Sequence, residues 1–160
     1  MIPLTTSRID YLRESMTAKG LRLSLAESCT GGMIASEITT LSGSSAFFLG
    51  SAVTYSNESK ENILGVSHSS LIEFGAVSEA VAKEMALGSL RAYGSDIAGS
   101  VTGIAGPDGG TLQKPVGTVW MAVTDGKRTI AYENHFEGSR KDIREQTVRV
   151  LIERLIEFIH

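Results

Sequence analysis

Apolar residues recur at helical spacing at Ile9, Leu12 and Met16 and again at Leu21. They form the stripe of an amphipathic helix that starts at about residue 7 and stops at Gly20, where a left-handed residue would close it. Residues 22–26 alternate polar and apolar, read as a strand, and run straight into Glu27-Ser28-Cys29-Thr30-Gly31-Gly32. Helical spacing resumes over about residues 32–40. After a Ser/Gly-rich loop, residues 47–55 form a second strand candidate that leads through Ser56-Asn57-Glu58-Ser59-Lys60 into a short helix. Residues 67–74 and 78–92 read as further helices, stopped by Gly75 and Gly94, with Ser78 suited to cap the second.

The remaining pattern is an apolar strand over residues 96–101, a glycine-rich loop over residues 102–110, and two strands over residues 117–124 and 128–136. Asp125-Gly126-Lys127 between those two strands is a hairpin signal, so they should be antiparallel neighbours. Residues 140–159 close the chain as an amphipathic helix with Ile143, Val148, Leu151, Leu155 and Phe158 near one face.

This order predicts an α/β fold, a three-layer α/β/α sandwich around a mixed sheet of about five strands. Neither a repeat nor a linker interrupts it, so residues 1–160 are expected to form one domain. If the first three strands are parallel, the polar turns after them gather along one edge, where open α/β sheets hold ligands. That places Ser28, Lys60 and Thr102 together. Residues 28–31 would also sit in the field of a helix N-terminus, whose amides point outward with partial positive charge.

Composition narrows the functional classes. With 160 residues, 42% hydrophobic and 21% charged, the chain can bury an ordinary globular core without a disulfide or structural metal. The single Cys29 cannot form an internal bridge and fits a reducing compartment. A net charge of -3 without a basic block argues against nucleic acid as partner. The apolar runs are far shorter than a membrane span, and residues 1–8 lack the order of a signal or transit peptide. The expectation is a cytoplasmic protein without membrane contact.

A serine hydroxyl needs a base beside it, usually His, otherwise a neutral Lys. None of His68, His135 and His160 falls in a loop expected at the site, and Gly-x-Ser-x-Gly is absent, which argues against an α/β-hydrolase. Lys60 is the better candidate base, provided desolvation and nearby positive potential loosen its proton; the alternative is a solvated helix lysine. For Ser28 the alternative is simple helix capping. Cys29 could serve as a nucleophile instead, but adjacent side chains diverge, so only one of the two should face a ligand. Gly103, Gly106, Gly109 and Gly110 would allow close backbone approach to an anion. Neither a P-loop nor a dinucleotide fingerprint is present, and His and Cys show no metal-ligand spacing, so no metal and no cofactor are expected. Arg140 and Arg144, four apart on the last helix, suit a phosphate clamp or a solvated stripe.

The stretches Ala26-Glu27-Ser28-Cys29-Thr30-Gly31-Gly32, Val53-Thr54-Tyr55-Ser56-Asn57 with Lys60, Gly75-Ala76-Val77-Ser78 and Gly103-Ile104-Ala105-Gly106-Pro107-Asp108-Gly109-Gly110, followed by Lys114-Pro115-Val116-Gly117-Thr118-Val119, resemble the CinA C-terminal domain family. Its stand-alone members are nicotinamide-nucleotide amidases. The resemblance implies metal-free hydrolysis of the carboxamide of nicotinamide mononucleotide, with Ser28 as nucleophile and Lys60 as base. Tyr55 and Thr102 would be polar catalytic neighbours. Thr30, Gly31 and Gly32 would contact the amide, and Arg140 or Arg144 the phosphate. It also implies a homodimer. Longer members add an N-terminal domain resembling molybdopterin-binding proteins; nothing here corresponds to it, so amidase activity alone is expected. The competing expectation is a non-catalytic nucleotide- or partner-binding module on the same fold.

Overall fold

The computed structural model describes residues 4–160. Helix α1 (Leu4–Lys19) precedes strand β1 (Leu23–Glu27) and helix α2 (Met33–Thr39). A 3-10 turn (Ser44–Ala46) leads to β2 (Phe48–Val53), followed by α3 (Asn57–Leu64), α4 (His68–Phe74) and α5 (Glu79–Tyr93). The chain ends with β3 (Ile97–Gly103), β4 (Thr118–Thr124), β5 (Thr129–His135) and α6 (Arg140–Ile159).

The five strands form one mixed sheet in the order β2-β1-β3-β4-β5. β1 is parallel to both β2 and β3, while β4 runs antiparallel to β3 and β5. Glu27 pairs with Val53 on one side and Val101 on the other, so β1 and β2 end level, β3 runs two residues further, and the turns that follow share one edge.

Period-two alternation sorts the layers. Leu23 and Leu25 face the main core, which takes Ile9, Leu12 and Met16 of α1, Ile34 and Ile38 of α2, and Leu151 and Leu155 of α6. Ala26 faces the opposite layer with Leu64 of α3, Leu71 of α4 and Val81 and Met85 of α5. β1 is buried along its whole length, as a central strand covered on both faces must be.

Most element ends fall where the pattern put them. Ser78 caps α5 by accepting from the Val81 amide, and Gly20 and Gly94 take positive φ just past α1 and α5. Three ends differ. α1 begins one turn earlier than residue 7, and takes Thr5, Thr6 and Ser7, each a cap-type residue, inside the helix. β2 stops at Val53 rather than Tyr55, because the backbone of Thr54 and Tyr55 turns to present its carbonyls to Lys60. β3 runs through Thr102 and Gly103, which pair with Trp120 and Val119, so the glycine-rich loop starts two residues later. Among the described residues no helix is long and apolar enough to cross a membrane.

Candidate functional site

The site grows out of the end of β1. Continuing the pleat, Glu27 turns toward α2 and Ser28 toward α3. Glu27 is fully buried, and four donors converge on its carboxylate: the hydroxyls of Thr30 (2.7 Å) and Ser51 (2.7 Å) and the amides of Ile34 (2.9 Å) and Ala35 (3.2 Å). The N-cap of α2 is Gly32, with φ 99° and no side chain to cap with, so the buried carboxylate satisfies the first-turn amides from inside the fold. This binds strand, turn and helix into one unit and fixes where Ser28 stands.

On the other face, Ser56 caps α3 by accepting from the Ser59 amide, which sets the helix phase so that Lys60 points inward. Lys60 is 1% exposed. Its Nζ lies 2.9 Å from Ser28 Oγ and donates to the carbonyl of Thr54 (2.8 Å) and, at longer range, of Tyr55 (3.5 Å). These partners are all neutral, and desolvation holds the ammonium below the usual lysine range. The structure therefore joins a serine hydroxyl to a buried amine whose proton is loosened by its surroundings.

A cavity of about 250 Å³ opens over this pair, lined by Ser28, Tyr55, Asn57, Thr102, Ala105 and Arg140 among others. The Thr102 hydroxyl donates to the Ala76 carbonyl and so ties β3 to the Ala76–Val77 wall. Tyr55 is exposed at the mouth, where its Oη accepts from Arg140, whose other terminal nitrogen donates to the Gly106 carbonyl (2.8 Å). Cys29 borders the cavity, but its side chain belongs to the main core and burial pushes the thiol up to about 12. Ser28, not Cys29, presents the usable oxygen or sulfur.

The other expected site residues, Gly103 apart, do not line the cavity. Thr30 is completely buried with its hydroxyl on Glu27. Gly31 and Gly32 shape the turn: the Gly31 amide closes onto the Ser28 carbonyl (3.1 Å) and Met33 onto that of Thr30 (3.0 Å). Arg144 donates to the carbonyls of Cys29 (3.1 Å) and Thr30 (2.9 Å), so it shares a face with Arg140 but is committed to backbone. Gly103 lines the cavity. Gly103, Gly106 and Gly110 are also demanded by packing, because a Cβ there would lie 2.6 Å from Val119, overlap the Val116 side chain and lie 2.7 Å from the Val116 amide, respectively. Gly109 takes a positive φ of 93° in the same loop.

Sequence reasoning gave no role to Glu27, Asn57, Ala76, Val77 or Ala105. The usable signal for Glu27 was a carboxylate at the end of a strand on the same face as the apolar Leu23 and Leu25. His68 and His135 pair with Glu61 and Glu133 away from the cavity. Among the described residues no group of three or more His, Cys, Asp or Glu could hold a metal ion. A second cleft of about 280 Å³, lined by Met33, Glu37 and Arg149 among others, contains no comparable nucleophile and base.

Known proteins resemble the chain along nearly its whole length. The CinA C-terminal domain family matches residues 6–159. The nicotinamide-nucleotide amidohydrolase PncC of Enterobacter agglomerans is 53% identical over 148 residues, which cover 91% of this chain and 90% of that protein. A CinA-like protein of Geobacter sp. (strain M21) is 56% identical over 83% of this chain but only 31% of its own length, so the chain spans about a third of such relatives. The crystal structure of the competence/damage inducible protein CihA from Agrobacterium tumefaciens superposes with a TM-score of 0.96 at 39% identity, covering 100% of this chain and 99% of that one. A CinA superfamily protein from Escherichia coli gives 0.93 at 34% identity, covering 99% and 94%. On this agreement of sequence and fold, the chain belongs to the CinA C-terminal domain family.

Proposed function

We propose that the chain is a nicotinamide-nucleotide amidase that hydrolyses the carboxamide of nicotinamide mononucleotide to nicotinic acid mononucleotide and ammonia. Ser28 is the nucleophile and Lys60 its base. The observation that carries this reading is the 2.9 Å contact between a buried Lys60 Nζ and Ser28 Oγ. The similarity to a relative named for this amidohydrolase activity supports the substrate.

The chemistry follows from the valences of the amine. A neutral Nζ has two protons for the carbonyls of Thr54 and Tyr55, and its lone pair then faces the Ser28 hydroxyl. Bringing a lysine from about 10.4 to about 7 takes roughly 4–5 kcal/mol of differential destabilisation of the charged form, and burial among neutral partners acts in that direction. Lys60 takes the Ser28 proton as Oγ bonds to the carboxamide carbon, leaving a tetrahedral oxyanion. The C–N bond breaks as the Lys60 ammonium passes that proton to the leaving nitrogen, releasing ammonia. Water then adds to the ester with its proton going to Lys60, the C–Oγ bond breaks, and Lys60 returns the proton to Ser28. The pyridinium charge of the substrate activates its carbonyl and leaves the phosphate as the main binding handle.

Arg140 is the phosphate ligand. It occupies the first turn of α6, where a cation opposes the helix dipole by about 0.3–1 kcal/mol, and an anion at the cavity mouth offsets that cost. Tyr55 and Thr102 hold the mouth and the wall around the reacting amide, and Gly103 lets the substrate lie close to β3. Purified protein incubated with nicotinamide mononucleotide should release ammonia, and Ser28→Ala and Lys60→Ala should each abolish release. A folded parent that binds the nucleotide without turnover would overturn the amidase reading in favour of a binding module.

A further inference from the structure

We propose that Arg144 is a positioning residue that aims the amide of Thr30 at the oxyanion, acting through the Cys29–Thr30 peptide and not on the substrate's phosphate. The inference rests on the Ser28–Lys60 reading and names the donor that completes it.

Several amides of the turn after β1 are already engaged. Gly31 donates to the Ser28 carbonyl, Met33 to that of Thr30, and Ile34 and Ala35 to Glu27. Among the described residues, the amides of Ser28, Cys29, Thr30 and Gly32 have no such acceptor, and of these the Thr30 amide belongs to the peptide whose carbonyl Arg144 holds. Arg144 takes the Cys29 carbonyl with Nε and the Thr30 carbonyl with a terminal nitrogen, a two-pronged grip that suits the guanidinium fork. A trans peptide points its C=O and N–H in opposite directions. Drawing the Cys29 carbonyl toward α6 therefore turns the Thr30 N–H away from α6. That is the side on which Ser28 meets Lys60 of α3, where an alkoxide attack builds negative charge. The next peptide obeys the same geometry: its Thr30 carbonyl faces Arg144, and its Gly31 amide points the other way, onto the Ser28 carbonyl. Without Arg144 the Cys29–Thr30 peptide loses the contact that selects its orientation.

The test uses Arg144→Gln and Arg144→Lys beside the parent, with folding checked by thermal unfolding. Arg144→Gln should lower kcat on nicotinamide mononucleotide by about tenfold to hundredfold, at or below the range for loss of one oxyanion donor, with KM near the parent's. The same fold-loss should appear with nicotinamide riboside, which lacks the phosphate. Arg144→Lys, which can keep one of the two contacts, should fall between. The substrate-independent readout is labelling of Ser28 by an alkyl fluorophosphonate, in which Oγ bonds to phosphorus, fluoride leaves and Lys60 takes the proton. Its rate should drop in parallel, since the P=O oxygen occupies the oxyanion position.

A rise in KM confined to the phosphate-bearing substrate would overturn the proposal and make Arg144 a phosphate ligand. Unchanged kcat and labelling would overturn it too. A parent that is labelled at Ser28 yet releases no ammonia from the mononucleotide would sink the substrate assignment alone, and the labelling comparison would still decide the role of Arg144.

Discussion

Lys60 should leave its mark on both activity and stability as pH changes. Its folded pKa is lowered by burial, and catalysis needs the neutral amine, so kcat/KM should rise with pH through that lowered value and level off above it. For stability the sign is also upward. Between the folded pKa and the unfolded value near about 10.4, the unfolded chain binds more protons than the native one, so the unfolding free energy climbs with pH. Below the folded pKa the full cost of the buried ammonium is present. Lys60→Met removes this contribution, so the stability gap between variant and parent should change in the parent's favour as pH rises above the lowered folded value toward the unfolded one. Denaturant titrations at several pH values measure it, and parallel curves would refute it. Cys29 supplies the contrast. A thiol near 12 is ionised to only about one part in 100,000 at pH 7, so iodoacetamide should leave activity intact. Cys29→Ala should keep kcat within about threefold while losing about 1 kcal/mol of stability. Inactivation by alkylation at neutral pH would point back to the thiol. The Ser28–Lys60 pairing was within reach of the sequence because two strand-end turns had to meet. The fate of the neighbouring carboxylate was not, since its four donors come from three segments that only the folded chain brings together.

At the scale of elements, α2 is short and capped by a glycine, and its first turn leans on Glu27. Glu27→Gln keeps the shape but halves the accepting oxygens and adds two donors where four donors already converge. Buried donors left without acceptors cost about 1–3 kcal/mol each. The variant should therefore lose at least about 2 kcal/mol, which lowers Tm by about 4–8 °C in a chain of this length, and calorimetry would read the shift. A Tm within a degree of the parent's would mean that the turn holds without the carboxylate. The helices and the hairpin were legible because their periodicity and turn residues are local properties of the chain. The ends of β2 and β3 were not: β2 stops where its carbonyls turn to Lys60, and β3 continues where β4 offers partners for Thr102 and Gly103. The glycines of the 103–110 loop were legible as necessary, but at three of them the necessity comes from the approach of Val116 and Val119 as well as from any ligand.

Across the whole molecule the site is a seam between layers. The α3 side supplies Lys60, the ends of β1 and β3 supply Ser28 and Thr102, and α6 reaches from the opposite layer to close the mouth through Arg140. The parallel order of β2, β1 and β3 made the meeting of the first three groups foreseeable. The arginines were legible only as a pair, because spacing on one helix face gives no sign that the Arg144 guanidinium grips two carbonyls of the β1 turn while that of Arg140, held by Gly106 and Tyr55, stands at a cavity. With a net charge of -3 the molecule as a whole does not attract a phosphate, so the local cation must do so. Arg140→Ala should accordingly raise KM for nicotinamide mononucleotide by about tenfold to hundredfold, the equivalent of one charged hydrogen bond at about 1.5–3 kcal/mol, with kcat little changed. Nicotinamide riboside should show no such rise. Because Arg140 is exposed, added salt should weaken the parent's binding of the mononucleotide and narrow its advantage over the variant. Equal KM values in parent and variant at low salt would remove Arg140 from the phosphate site and require another cation at the mouth.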